Sequence, residues 1–165
     1  MADLGRRGAL VLALGGAVAL SACRQGSSGT DGDKVRTDVA PLERRFTALG
    51  PLSDAHWLGI VMGSDSRVQA PGPTDVRVVG LARLRAGGVA TLVGAPQWDF
   101  QPAEPDQPPG VLAQFIPKGA RWVRSESFDS AMASDADHGT FSFDPGTDTV
   151  YFDTINPSPA SSSGP

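Results

Sequence analysis

The densest group of side chains that could do chemistry lies in the segment 134–139 (SDADHG). Asp135 and Asp137 would offer two hard oxygen ligands to calcium, and His138 would let the same loop take a transition metal. A complete calcium loop also needs further oxygens and a terminal bidentate glutamate, and no glutamate stands at that position. The segment equally suits a solvated turn ahead of a strand. Two interpretations stay open, a small metal-dependent hydrolase and a plain loop, and no metal site is assigned.

The other histidine, His56, stands beside Trp57 at the start of an apolar segment, as is typical of a strand end. A serine nucleophile would need a sharply presented turn. Residues 63–66 (GSDS) lack the Gly-x-Ser-x-Gly pattern of such a turn. Gly80 and residues 87–88 lack the spacing and the lysine of a phosphate-binding loop. The sequence therefore predicts no catalytic residue and no cofactor, although His56 remains an alternative base for a hydrolase.

Two further groups of side chains could bind a ligand without catalysis. Arg77, Arg83 and Arg85 alternate along one segment and would share its polar face, as a small anion site or as surface ion pairs. Trp98 and Trp122 lie near prolines or arginines and could line a groove for a peptide or a sugar. Tryptophans in a small domain also serve as anchors at the edge of the core. Both interpretations of each group stay open.

The single cysteine, Cys23, excludes an internal disulfide and any multi-cysteine metal site. It follows an arginine pair at residues 6–7 and an uncharged stretch at residues 9–20. That stretch is shorter than the roughly 20 residues of a transmembrane helix, and the layout is that of an export signal. Residues 20–23 (LSAC) resemble the bacterial lipobox. The resemblance implies that Cys23 receives a diacylglyceryl group and becomes the first residue of the mature chain after signal cleavage.

Lipidation at Cys23 would place the protein on the extracytoplasmic side of the cell membrane. Stable anchoring takes about two acyl chains, and a diacylglyceryl group supplies both. The arginine pair also resembles part of a twin-arginine signal, so the Sec and twin-arginine routes both stay open. The mature chain carries 12 basic and 17 acidic side chains, a net charge of −5. This balance argues against a sequence-independent nucleic-acid binder.

Composition divides the 165 residues into four parts: a signal peptide (1–22), a lipidated cysteine with a flexible tether (23–38), a folded domain (39–156) and a disordered tail (157–165). The tether is rich in Gly, Ser, Thr and Asp and has too few apolar side chains to fold. The folded part is long enough for a single hydrophobic core.

The coarse pattern of that domain predicts several short helices and an antiparallel sheet. Candidate helices are residues 41–49, 88–93, 110–115 and 125–132, the last with Ser125 as N-cap. Candidate strands are residues 56–62 and 75–85, the second alternating as if half-buried. Residues 140–144 and 149–155 flank a Pro-Gly-Thr-Asp turn and predict a hairpin with Phe141 and Phe143 on one face. The predicted fold class is α+β, a single small domain with a C-terminal β-hairpin.

The domain also resembles small uncharacterised lipoproteins of high-G+C Gram-positive bacteria. The resemblance rests on residues 71–75 (PGPTD), 98–102 (WDFQP) and 127–129 (SFD), on the hairpin, and on 12 Arg against two Lys. It implies a location and no mechanism. We expect a non-enzymatic binding or interaction module whose partners are the membrane and an envelope protein or peptide. The alternatives are the hydrolase using Asp135, Asp137 and His138, and a structural envelope protein.

Overall fold

A six-stranded antiparallel sheet forms the centre of the domain, in the strand order β1-β2-β6-β5-β4-β3. The computed structural model describes residues 34–62, 75–133 and 138–156. The strands are β1 (Leu52–Val61), β2 (Val76–Leu84), β3 (Gln101–Pro102), β4 (Val123–Arg124), β5 (His138–Asp144) and β6 (Thr149–Ile155). β5 and β6 form the hairpin predicted at the C-terminus, with Phe141 opposite Phe152 and Phe143 opposite Val150.

Three α-helices and three 3₁₀ helices connect the strands. The α-helices are α1 (Ala40–Arg45), α2 (Gly88–Val93) and α3 (Glu126–Met132), and the 3₁₀ helices are Thr47–Leu49, Pro96–Trp98 and Gly110–Phe115. The predicted α+β class, with an antiparallel sheet and several short helices, is confirmed. α2 has the predicted bounds, and Ser125 caps α3 by accepting the N–H of Phe128 at 3.1 Å.

The helix predicted over residues 41–49 divides in two. Phe46, with φ −107° and ψ 52°, leaves the helical region and separates α1 from the 3₁₀ helix Thr47–Leu49. Leu42, Phe46 and Leu49 are nevertheless all buried, as their shared face predicts. Burial of three apolar side chains on the sheet therefore holds the segment together across the break in its hydrogen bonding.

One face of the sheet, here called the helical face, is covered by α1, α2 and α3. Its core is aromatic: Phe128 contacts Phe141 and Phe143 edge to face at 5.6 and 5.3 Å between ring centroids, and Phe46 contacts Phe141 at 5.3 Å. Perpendicular rings set a positive edge against a negative face, which favours these arrangements. The aromatic contacts fix where α3 sits relative to β5.

The opposite face of the sheet, here called the loop face, is covered by the segment 110–122. Leu112 and Trp122 pack there on Val79, Leu81 and Tyr151, and all five are buried. The expectation that residues 75–85 form a half-buried strand is therefore wrong. β2 lies inside the sheet, and apolar side chains cover both of its faces.

The first described residues already belong to the folded domain. Arg36 and Trp57 exchange two backbone hydrogen bonds, at 2.8 and 3.0 Å, and form an isolated bridge beside β1. The indole N–H of Trp57 also donates to the carbonyl of Asp38 at 2.9 Å. The last part of the predicted tether thus lies along the outer edge of β1.

Two aspartates in the β5–β6 turn connect it to neighbouring segments. Asp144 accepts the N–H of Arg121 at 3.0 Å and the hydroxyl of Thr147 at 2.7 Å. Asp148 accepts the N–H groups of Gly87 and Val89, at 2.9 and 3.1 Å, at the start of α2. These bonds satisfy helix-end donors that have no partner within α2.

Candidate functional site

The structure separates the residues that the sequence singles out. Trp98 packs on the helical face, with 5.4 Å between its ring centroid and that of Phe128, whereas Trp122 is buried on the loop face. His138 is exposed at the start of β5. The two tryptophans lie on opposite faces of the sheet, so they do not line one groove, and each contributes to the core on its own side.

His56 has a packing role on the loop face. Its ring stacks on Phe115 with 3.8 Å between centroids and 19° between planes. Its buried Nδ1 atom lies 4.0 Å from the Asp54 carboxylate and has no hydrogen-bond partner in the described part of the chain. The ring therefore holds the 3₁₀ helix Gly110–Phe115 against β1.

The residues that carry the other predictions lie elsewhere. Cys23, Asp135 and Asp137 fall outside the described residues. Within residues 34–62, 75–133 and 138–156, no group of three or more His, Cys, Asp or Glu side chains is arranged to hold a metal ion. Over the same ranges, no helix is both long and apolar enough to cross a membrane.

A groove of about 560 Å³ opens at the edge of the sheet where β3, β4 and the first turn of α3 meet. Its lining residues are Asp99, Gln101, Ala103, Arg124, Glu126 and Ser127. The volume is in the range of small-ligand and peptide-anchor sites. The sequence gives no sign of this groove, because β3 and β4 are two residues long and carry no strand periodicity.

β3 and β4 bring together two parts of the chain that are distant in sequence. Gln101 pairs with Arg124 and Pro102 with Val123, and the N–H of Ala103 donates to the carbonyl of Trp122 at 3.1 Å. Asp99 precedes this ladder with φ 32°, a conformation that short polar residues tolerate best. Its carboxylate accepts the Gln101 amide at 2.9 Å. The turn at Asp99 thus presents a carboxylate and an amide side by side on one wall.

Arg124 forms the back of the groove. Its guanidinium donates to Asp129 of α3 at 3.3 Å, whereas its buried Nε atom hydrogen-bonds to none of the residues that the structure describes. Asp129 also accepts the N–H of Phe141 at 2.8 Å. Burial raises the pKa of Asp129, and the hydrogen bonds from Phe141 and Arg124 partly offset this rise. The pair ties α3 to β4 and β5.

The remaining charges of the groove are negative. Asp99 and Glu126 are exposed and have no ion-pair partner among the described residues. Ser127, beside Glu126, shares a hydrogen bond with the Ser125 hydroxyl at 2.9 Å. The groove can therefore bind a cationic side chain between its carboxylates, while its amide, hydroxyl and guanidinium groups hydrogen-bond to a polar backbone.

A second polar group lies on the loop face. Arg77 and Asp153 form a cross-strand ion pair between β2 and β6. The hydroxyl of Tyr151 is buried nearby and has no hydrogen-bond partner among the described residues. Burial raises the pKa of Tyr151 to about 12, and the charges of Asp153 and Asp106 add to the effect. A protonated tyrosine in this setting is a structural group at neutral pH.

Comparison of the chain with protein-family models, curated proteins and solved structures finds no match. The groove and the sequence of the N-terminal segment are the two features of the chain that bear on its function.

Proposed function

We propose that this protein is a lipid-anchored binding module on the extracytoplasmic side of a bacterial cell membrane. The observation that carries the binding role is the groove formed by β3, β4 and α3. It takes a polar segment with a cationic side chain, such as a stretch of an envelope protein or peptide. The proposed anchor is Cys23, on the strength of the lipobox-like residues 20–23.

The groove supports binding because its polar groups are positioned by contacts outside it. The Asp129 carboxylate holds Arg124, and the Ser125 cap starts the helix that carries Glu126 and Ser127. A site whose groups are already oriented loses less entropy when a ligand arrives. Two carboxylates on exposed walls would draw a cation, and this attraction would weaken as salt rises.

The anchor is tested by growing cells with a fatty-acid analogue that can be detected on the protein. The wild-type chain should carry the label, and Cys23→Ala should not. A matched Ser21→Ala substitution keeps a small residue and the cysteine, so it should leave labelling intact. Labelling of Cys23→Ala to the wild-type level would contradict the anchor.

The groove is tested by photo-crosslinking in intact cells from a photoreactive residue placed at position 101. The control places the same residue at Gln114, which is exposed on the 3₁₀ helix of the loop face. We expect an adduct from position 101 alone. Glu126→Lys should reduce its yield at least fivefold, whereas Glu104→Lys, an equal charge change outside the groove lining, should not. Equal adducts from both positions, or none from 101, would count against the groove.

A further inference from the structure

A basic cavity lies where the described chain begins, on a domain whose net charge is acidic. It measures about 210 Å³ and is enclosed by α1, β1 and β2. Arg36, Arg44 and Arg45 line it, and its floor includes Trp57 and Gly59. Three guanidinium groups around one concave surface form a setting for phosphate oxygens, which arginine binds with paired N–H donors.

Backbone and ring contacts hold these arginines in place. The Arg36 guanidinium lies 4.6 Å from the centroid of the Trp57 ring, and its backbone bridges to the same residue. Arg45 donates to the carbonyl of Pro41 at 2.9 Å. Arg44 is exposed and has no ion-pair partner in the part of the chain that the structure describes. Arg36 also lies 3.8 Å from the Asp38 carboxylate, so the positive charge that the cavity offers to an anion is chiefly that of Arg44.

Large apolar side chains are exposed beside the cavity. Val61 and Met62, at the end of β1, are 51% and 40% exposed. Val61 pairs with Val76, which also lines the cavity. Cations next to exposed apolar side chains are the combination found on surfaces that rest at the lipid–water interface, where the charges meet headgroups and the apolar groups enter the acyl boundary.

The short length of chain between Cys23 and this surface indicates which ligand the surface would meet. Lys34, the first described residue, comes eleven positions after Cys23. A flexible chain of that length has a root-mean-square span of roughly 18 Å, and a fully extended one spans at most about 40 Å. If Cys23 is anchored, the cavity is held within this distance of the lipid headgroups. The attraction between basic side chains and anionic lipids acts within about a Debye length of the surface.

We propose that this basic cavity, together with Val61 and Met62, docks the domain onto anionic phospholipid headgroups of the membrane that holds Cys23. The proposal rests on the lipid anchor given above. It also explains the placement of the groove. β1 and β3 are the two opposite edges of the sheet, so docking through the β1 edge turns the groove at β3 away from the membrane. With neighbouring strands about 4.8 Å apart, the two edges lie roughly 24 Å apart.

The test uses the full-length lipoprotein with Met62→Cys carrying an environment-sensitive fluorophore. Acylated Cys23 has no free thiol, so the probe attaches at one position. The protein is reconstituted with vesicles of phosphatidylcholine alone, or of phosphatidylcholine and phosphatidylglycerol in equal parts, at 150 mM salt (an assay condition, roughly physiological). We expect blue-shifted emission only with the anionic vesicles. Arg36→Glu with Arg44→Glu should lower the docked-to-undocked ratio at least tenfold, since each basic residue near such a surface contributes about a fivefold factor.

The matched control is Arg83→Glu with Arg85→Glu, which changes the net charge equally at the other end of β2 and should retain the blue shift. Urea unfolding of both double variants checks that they fold. An equal shift with neutral vesicles, or equal loss in both double variants, overturns headgroup docking. Flotation of the same samples with neutral vesicles reports the anchor separately. A protein that floats without a charge-dependent shift refutes docking alone, and one that does not float refutes the anchor and docking together.

Discussion

Gly80 and Trp57 face each other across the β1–β2 ladder so closely that a Cβ atom on Gly80 would lie 2.4 Å from the Cβ of Trp57. The same added atom would lie 2.5 Å from the carbonyl oxygen of His56. Backbone and Cβ atoms on the neighbouring strand cannot rotate out of the way. The pair therefore requires glycine in the middle of a strand, where its conformational entropy would otherwise weigh against it.

Gly80→Ala should destabilise the domain by about 3 kcal/mol or more, because it forces β1 and β2 apart at a buried position. Urea unfolding of the full chain, with an unchanged slope, measures this. Gly110→Ala is the matched control, since a Cβ atom there would meet nothing within 4 Å. That variant should stay within about 1 kcal/mol of wild type. Equal stability of the two variants would show that β1 and β2 are not in this register.

Tyr151 predicts a loss of stability in alkaline solution. Its pKa is raised to about 12 in the folded state by burial and by the charges of Asp153 and Asp106, against about 10 when unfolded. A raised pKa contributes stability that is complete below pH 10 and is lost as pH rises from 10 to 12. The loss should reach roughly 2–3 kcal/mol. The chain has one tyrosine, so phenolate absorbance at 295 nm reports Tyr151 alone.

Tyr151→Phe is the control for this titration. It removes a buried hydroxyl to which no described residue hydrogen-bonds, so it should be neutral or slightly stabilising at pH 7. The variant should also lack the fall in stability between pH 10 and 12. A phenolate titration near pH 10 in the folded wild-type chain would contradict the buried environment of this side chain.

The hydrogen bonds of Asp144 lead us to expect a loss of stability at low pH, whereas Tyr151 leads to a loss at high pH. Burial would raise the pKa of Asp144, but hydrogen bonds from the Thr147 hydroxyl and from the N–H groups of Arg121 and Gly146 together lower it. A lowered pKa gives stability that is present above the unfolded value of about 4 and is lost as pH falls through the folded value. Wild-type stability should therefore fall in acid, as urea unfolding from pH 6 down to pH 2 measures.

Asp144→Asn should reduce that acid dependence and cost about 1–3 kcal/mol at pH 7, because the amide cannot replace both carboxylate oxygens as an acceptor. Asp106→Asn is a suitable comparison, since Asp106 is exposed in the proline-rich loop. It should leave both the stability at pH 7 and the acid profile close to wild type. An unchanged acid profile in Asp144→Asn would assign the acid effect to other carboxylates.

Ser125→Ala should destabilise the domain by about 1 kcal/mol, since it removes the oxygen that accepts the Phe128 N–H at the start of α3. It should also weaken crosslinking from position 101, because α3 carries two of the groove residues. Ser130→Ala, an exposed change within the same helix, should do neither. Urea unfolding and the crosslinking yield together measure the outcome. A loss of crosslinking in Ser130→Ala of the same size would show that the effect is not due to the cap.

Local signals in the sequence are enough to predict α2, the Ser125 cap and the β5–β6 hairpin, because each depends on residues close together in the chain. The burial of Val79 and Leu81 on the second face of β2 depends on the distant segment 110–122, and alternation in β2 alone cannot reveal that cover. The groove depends on the pairing of Gln101 in β3 with Arg124 in β4. Both strands are too short to show an alternating pattern of apolar and polar residues. Tertiary packing decides both the burial of the second face of β2 and the formation of the groove. In β2 it overrides the half-buried strand that the alternating sequence predicts.

β6 pairs with β2 on one side and with β5 on the other, yet it comes last in sequence among the strands of the described residues. The β2–β6 ladder pairs Arg77 with Ile155, so the middle of the sheet cannot close until residue 155 has been synthesised. Ribosomes add about 5–20 residues per second, so several seconds pass between the synthesis of β2 and that of β6. During that interval β1–β2 and β3–β4–β5 are two separate parts of the sheet, with no ladder between them. β6 is therefore the strand that joins the two parts, and the six-stranded sheet forms only when it has been synthesised.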